Sequence, residues 1–398
     1  MTLKTKNKIK TISVLAITTI LTVSLIAAYP LMQAYAGGPP PPKDLSTWTA
    51  ENYDKVGNFT AGAFVDANWD LSAGDTVVTQ TEQGQPTVYI SNFTAQKMKH
   101  TVVWNTTSSD DDYIGFALGY NLNDNSTEAA DYLLVDWKGG TQFFNFNTTV
   151  TEFCAGGTAD VGLALSRVFG VPDPDEFWQH DDLGCGALEG NVTEIVRATT
   201  LGGTGFTMNT DVIFDIIFTS NGITVLVDGI PEIAQSGDFS GITGNFTFYD
   251  FSQPDANFKD VTMMDLEGCS SGFWKTDTKG KFDLQWTTHL PGDEYDTVFG
   301  EAILLPAKGN KDPNADPTLL EALKAKGGKI NALAREAVAA LLNSVDTSIM
   351  YPLTEDQVIA IVDAAVADGS DEAIENARAV LFDLNHAGCP LSHILDVS

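Results

Sequence analysis

Between residues 44 and 267 the apolar positions fall into short β-branched and aromatic runs, separated by clusters of Asp, Asn and Gly. Thr101–Thr106, Tyr113–Tyr120, Tyr132–Trp137, Thr141–Phe146, Val212–Thr219, Ile223–Val227 and Asn245–Phe251 each read as a strand. Asn221-Gly222 between two of these runs predicts a tight hairpin. Many short strands without a helical period predict a β-sandwich or jelly roll.

Past Cys269 the period lengthens. Asp316-Pro317 predicts a helix start with proline at its first position, running to about Lys326. From Lys329 to Val345, residues Ile330, Leu333, Ala334, Ala337, Val338, Leu341 and Leu342 fall on one helical face. Thr354 and Gln357 form a capping-box pattern opening a helix over 355–367, and a last helix spans Asp371 to about His386. The expected organisation is mainly β in residues 44–267, followed by a small helical domain in 268–398.

The amino terminus adds a location. Four lysines in the first ten residues, an apolar stretch from Ile12 to about Ala28 and Ala34-Tyr35-Ala36 have the form of a signal peptide over 1–36. The alternative is a retained anchor, which would give the protein its membrane attachment. Gly37-Gly38 and Pro39–Pro42 read as a short linker over 37–43. Export to the cell surface or the extracellular medium places Cys154, Cys185, Cys269 and Cys389 in an oxidising compartment. Of three possible connectivities, partition between the two halves favours Cys154–Cys185 and Cys269–Cys389. N-x-S/T sequons stand at Asn58, Asn92, Asn105, Asn125, Asn147, Asn191 and Asn245, marking candidate glycosylation sites.

Charge narrows the partners. Acidic residues number 53 against 22 basic, a net charge of -31, which repels nucleic acid and provides no basic stripe to release counterions. Excess carboxylates suit a hard cation such as calcium. The sharpest candidate is Asp110-Asp111-Asp112, an acidic turn between two predicted strands. Three adjacent carboxylates repel one another unless a cation neutralises them, the alternative being a solvated acidic turn. Asp66, Asn68 and Asp70 form a second oxygen-rich cluster, which also has the composition of an ordinary Asx-rich turn.

The run Asp110 to Tyr120, DDDYIGFALGY, followed by DYLLVDWKGGTQ from Asp131 to Gln142, resembles the C-terminal domain of thrombospondins. Ala67-Asn68-Trp69, Gly162 to Ser166, Phe177-Trp178-Gln179-His180 and the stretch from Asp211 to Asp260 match further segments in order, so the resemblance covers roughly residues 60–265. It implies a calcium-stabilised jelly roll of the legume-lectin type in an extracellular adhesion protein, with Asp110, Asp111 and Asp112 as calcium ligands. The family's preceding array of D-x-D-x-D-G repeats is missing here, so its calcium sites and its partner contacts do not transfer. The second half begins GCSSGFWK at Gly268 and reaches GCPL at Gly388, similar to a module of secreted microbial proteins with no established activity. Phe273 and Trp274 within it are expected to pack against the helices, with carbohydrate stacking as the alternative.

Enzymatic activity is not expected. No G-x-S-x-G elbow occurs, and the five-residue spacing of Asp131 and Asp136 puts them on opposite faces of a strand. His180 near Cys185, and His386 with Cys389 and His393, have metal-like spacing, but disulfides better explain those cysteines. The reading is therefore an exported, calcium-binding, lectin-like adhesion or matrix protein whose partners are glycans or cell-surface and matrix proteins. The alternatives are a carbohydrate-binding protein proper and a structural glycoprotein of the cell envelope.

Overall fold

The computed structural model describes residues 40–53, 66–146, 156–183, 190–277, 286–300, 303, 305 and 316–391. The leader, Cys154, Cys185, Asn58 and Asn147 lie outside the described residues, and so does the expected Cys154–Cys185 pair.

Two seven-stranded antiparallel sheets face each other. The first runs, edge to edge, through β1 (Thr49–Asn52), β4 (Thr87–Thr94), β15 (Asn245–Phe251), β6 (Tyr113–Tyr120), β7 (Asp131–Lys138), β10 (Gly162–Gly170) and β11 (Gly190–Arg197). The second runs through β14 (Ile230–Ser236), β13 (Gly222–Val227), β12 (Val212–Phe218), β5 (Met98–Thr106), β16 (Ala256–Asp265), β3 (Val77–Gln80) and β2 (Trp69–Leu71). β8 (Gln142–Phe144) and β9 (Gly157–Ala159) form a separate ribbon. Period-two alternation drives the arrangement: along β5, His100, Val102, Trp104 and Thr106 are buried while their neighbours are half exposed. Val102 and Trp104 meet Phe116, Leu118, Leu133, Val135, Phe214 and Phe248 in the core between the sheets.

Both outer faces are also covered in part. Over the first sheet, Tyr53, Phe146, Phe177 and Trp178 pack on Tyr113, Ala117, Tyr132, Leu134 and Tyr249. This second layer explains why β6 is buried along its whole length. Over the second sheet lie the helices: α2 (Ser271–Asp277), α3 (Tyr295–Phe299), α4 (Leu319–Leu323), α5 (Ile330–Val345), α6 (Glu355–Asp368) and α7 (Asp371–Asn385). Ile217 of β12 and Leu226 of β13 belong to the helices' own core, so the β and helical parts share a packed boundary.

Two turns differ from the sequence reading. The hairpin expected at Asn221-Gly222 does join β12 to β13, with Phe218 opposite Ile223, but without a positive-φ residue there; the turn with both central residues left-handed is Asp228-Gly229 (φ 51° and 81°), between β13 and β14. Pro317 does not open α4. Thr318 is the N-cap, paired with Glu321 in a capping box, while the Pro317 carbonyl accepts from the Tyr295 N–H. The capping box at Thr354 and Gln357 forms as the sequence indicates.

The Cys269–Cys389 disulfide closes the helical part, beside an antiparallel bridge between Gly268 and Gly388. Asn343 of α5 anchors that junction from inside. Its Oδ1 accepts from Cys269 N (2.9 Å) and Trp274 Nε1 (3.0 Å), and its Nδ2 donates to Cys269 O and Asn385 Oδ1 (both 2.9 Å). Trp274 is fully buried there, as the packing expectation holds, and presents no stacking face to a sugar.

Candidate functional site

The acidic turn leads into β6 while Gly139-Gly140 leaves β7, and the Tyr113–Lys138 pairing brings the two together. The N–H groups of Gly139 and Gly140 both donate to Asp111 O, at 2.9 and 3.1 Å. A side chain at either glycine would crowd this approach, against backbone at Gly139 and against a movable carboxylate at Gly140. A Cβ on Gly140 would stand 2.0 Å from Asp111 Oδ2, and one on Gly139 would stand 2.8 Å from Asp111 Cα.

One carboxylate oxygen from each of Asp110, Asp111 and Asp112 falls within 4.8 Å of the others, so the turn does gather the three expected ligands. They do not share one environment. Asp111 has half its side-chain surface in solvent (51%), whereas Asp112 is buried. Asp110 is half-buried and accepts from Gln83 Nε2 at 2.6 Å.

The inward side of the turn already faces a cation. The fully buried Lys138 donates from Nζ to Asp111 O (2.6 Å), Asp112 Oδ1 (3.0 Å) and Gln142 Oε1 (3.1 Å), with Asp111 Oδ1 at 3.5 Å. The same ammonium lies 4.8 Å from the Trp178 ring centroid and 5.7 Å from that of Tyr113. Burial pushes the Asp112 carboxyl up to about 6, against the downward pull of Lys138. Burial also raises Asp110.

Behind the turn sits Asp250. Its Oδ1 accepts from Gln80 Nε2 (2.6 Å) and Gln253 N (3.2 Å), while Gln253 Oε1 accepts from Asp112 N (2.9 Å). Its Oδ2 is buried without a hydrogen-bond partner, and burial, then the charges of Asp112 and Asp110, push its carboxyl well up.

Hydrogen bonds hold the residues of the second expected cluster. Asp66 accepts from Gln85 Nε2 (2.9 Å), and Asn68 Nδ2 donates to Asp70 Oδ1 (2.8 Å) and Thr81 Oγ1 (3.2 Å). The Asn68 amide thus turns a donor, not an oxygen, toward Asp70. The sequence reading missed a different group: Glu294, Asp296 and Asp316 bring three carboxylate oxygens within 4.8 Å. The isolated bridge between Glu294 and Thr318 juxtaposes them, and their spacing in the chain carries no motif.

His180 pairs with two carboxylates, and Cys185 of its expected metal-like set lies outside the described residues. It ends α1 (Pro174–Gln179) in a left-handed conformation (φ 53°), with Nε2 2.9 Å from Asp136 Oδ2 and Nδ1 3.5 Å from Glu194 Oε2. Burial alone would lower the imidazole, but the Asp136 carboxylate, then Glu194, raise it to about 9. Asp136 is itself pushed up by burial, against His180. Asp131 stands on the other face of β7 and pairs with Arg167 (2.8 Å).

Of the described sequons, Asn92 is exposed on β4. Asn105, Asn125, Asn191 and Asn245 are half-buried, and Asn125 Nδ2 donates to Asn52 O at 2.7 Å. A cleft of about 240 Å³ opens where β11 and β14 meet α6 and α7, lined by Val196, Ile233, Gln235, Ile361 and Asn376 among others. Among the described residues no helix is long and apolar enough to cross a membrane.

No family model and no curated protein matches the chain, so the thrombospondin likeness stands on its sequence segments alone. Among solved structures, the carbohydrate-binding module CBM66 of Bacillus subtilis is 9% identical, covering 50% of this chain and 91% of its own, at a TM-score of 0.32. The Caenorhabditis elegans galectin LEC-6 is 9% identical over 48% of this chain and 99% of its own, with a TM-score of 0.25. A Bacteroides ovatus family 16 endo-glucanase is 12% identical over 56% and 98%, with a TM-score of 0.30. At such scores the likeness carries no functional weight. The β-sandwich stands on this chain's own two sheets.

Proposed function

We propose that the protein is an exported, non-catalytic surface or matrix protein that binds calcium at the outer side of the acidic turn and uses its sandwich for adhesive contacts. The observation that carries this reading is the convergence of Asp110, Asp111 and Asp112, of which Asp112 is buried against Lys138 while Asp111 is half in solvent. Carboxylates are the hard oxygen donors calcium takes, and backbone oxygens or water complete such shells. The acidic composition, the sequons and the Cys269–Cys389 disulfide support export.

Thermal unfolding of the purified protein with millimolar calcium and with a chelator tests this. Calcium at a hundred times its dissociation constant adds about 2.7 kcal/mol, enough to raise the midpoint by roughly 2–4 °C. Loss of that rise in the Asp110→Asn, Asp111→Asn double variant is the expected result. A wild-type midpoint indifferent to calcium sinks the reading.

A second reading, glycan binding, draws on Phe143, which exposes 65% of its surface next to Gln142, a Lys138 partner. Exposed aromatic faces stack on sugars, and calcium-dependent signals on a glycan array that Phe143→Ala removes would favour it. Ordered self-assembly on adding calcium, without glycan binding, would instead favour a cell-envelope structural role.

A further inference from the structure

The oxygens around the Lys138 ammonium form a cation-coordinating set: a backbone carbonyl (Asp111 O), a carboxylate (Asp112 Oδ1) and an amide oxygen (Gln142 Oε1), with Asp111 Oδ1 slightly farther off. These are the donor types that a hard divalent ion collects. Here a tethered ammonium fills the set, backed by the Trp178 and Tyr113 rings and shut off from solvent. Burying a lysine requires such partners, because an ammonium without them carries a desolvation penalty of several kcal/mol.

We infer that Lys138 is the resident cation of the inner half of the acidic turn, and that it confines a divalent ion to the outer half, against Asp110 and Asp111, at reduced affinity. Three carboxylates and one ammonium leave a net charge matched to one divalent ion. The inference rests on the calcium reading only for the outer position; the inner assignment stands on the Lys138 geometry. A like charge beside a divalent ion opposes its binding, and at a separation of about 6 Å Coulomb's law in water already gives roughly tenfold. Lys138 is therefore a specificity-determining residue rather than a bystander in a neighbouring ion pair.

The test is a terbium titration of the full-length protein, exciting tryptophan and following sensitised emission, with calcium as competitor. Lys138→Met is expected to bind terbium at least tenfold more tightly, with calcium displacing it correspondingly less weakly. Adding Asp112→Asn to Lys138→Met removes the inner carboxylate and is expected to abolish most of the gain. Should Lys138→Met unfold without an ion, recovery of its native circular dichroism in millimolar calcium is the expected result. Binding no tighter than wild type in a folded variant, or an unfolded variant that calcium does not recover, overturns the inference. Wild-type protein that binds no terbium while Lys138→Met does would end the calcium reading and leave the lysine assignment intact. Wild-type binding that Lys138→Met leaves unchanged would do the reverse.

Discussion

His180 Nε2 lies 2.9 Å from Asp136 Oδ2, joining the end of α1 to the middle of β7 beneath an aromatic layer. Both side chains are buried, so each is the other's principal charge partner. His180→Leu leaves the Asp136 carboxylate uncompensated and is expected to cost about 3–5 kcal/mol. The double variant with Asp136→Leu removes both charges and should recover a large part of that loss. Urea denaturation of the single and double variants measures the difference; equal losses in both would refute the pairing as the source.

The same segment makes stability fall toward alkaline pH. His180 is raised to about 9, so its contribution is complete below its ordinary value of 6.5 and is lost as pH rises through 9. The shift corresponds to about 3 kcal/mol. Burial raises Glu176 in the first turn of α1 to about 8, so its stabilisation too is lost as pH rises, from 4.5 through 8. Both signs agree. Amide exchange in residues 174–180, corrected for intrinsic rates, should accelerate between pH 7 and 9.5, and His180→Gln should flatten the upper part of the profile.

In the helical part, the disulfide and Asn343 hold one junction. Cys269 and Cys389 are separated by 120 positions, and on the chain-entropy model a loop of that length contributes about 4–5 kcal/mol. The Cys269→Ser, Cys389→Ser variant should therefore lose the helical far-ultraviolet signal at a lower urea concentration. Asn343→Leu keeps the disulfide but strands the buried Cys269 N–H and the Trp274 indole N–H, at a cost of about 2–4 kcal/mol. If Asn343→Leu matches wild type in urea, the amide is a spectator.

Gly139 and Gly140 allow a sharper contrast. A methyl at Gly140 meets the end of the Asp111 side chain, which can swing aside. A methyl at Gly139 meets the Asp111 backbone and Phe206 Cζ, both at 2.8 Å. Gly140→Ala should thus cost less than about 1 kcal/mol of stability, while Gly139→Ala should cost about 1–3 kcal/mol. Because it displaces Asp111, Gly140→Ala should still weaken terbium binding, a split that thermal unfolding and titration together resolve.

The strands over Tyr113–Tyr120 and Asn245–Phe251 were legible because aromatic and β-branched runs end at clear turn residues. Helices α5 and α6 were legible from a sustained apolar stripe and from the Thr354 capping box. The gathering of Asp110, Asp111 and Asp112 followed from adjacency alone. What the sequence hid was distant in the chain: Lys138 reaches back 26 residues to Asp112, and His180 reaches back 44 residues to Asp136. No local pattern encodes such contacts, which arise from strand register and from where α1 lands. Pro317 misled because proline suits a first helical turn and equally the extended residue before an N-cap. Asn221-Gly222 marked a hairpin that forms, and only its left-handed turn geometry is absent there.

The junction at Gly268 and Gly388 also has a mechanical meaning. The two ends of the helical part meet at a Cα–Cα distance of 4.4 Å between Cys269 and Cys389, joined covalently. Tension applied along the chain between the sandwich and residue 390 enters and leaves at that one point. The sulfur–sulfur bond carries the load, and α2 to α7 lie outside the force path as an unstressed loop. Stretching by atomic force microscopy should show the helices silent until a reductant is added, after which a new extension of about 120 residues appears, reaching roughly 400 Å at full length.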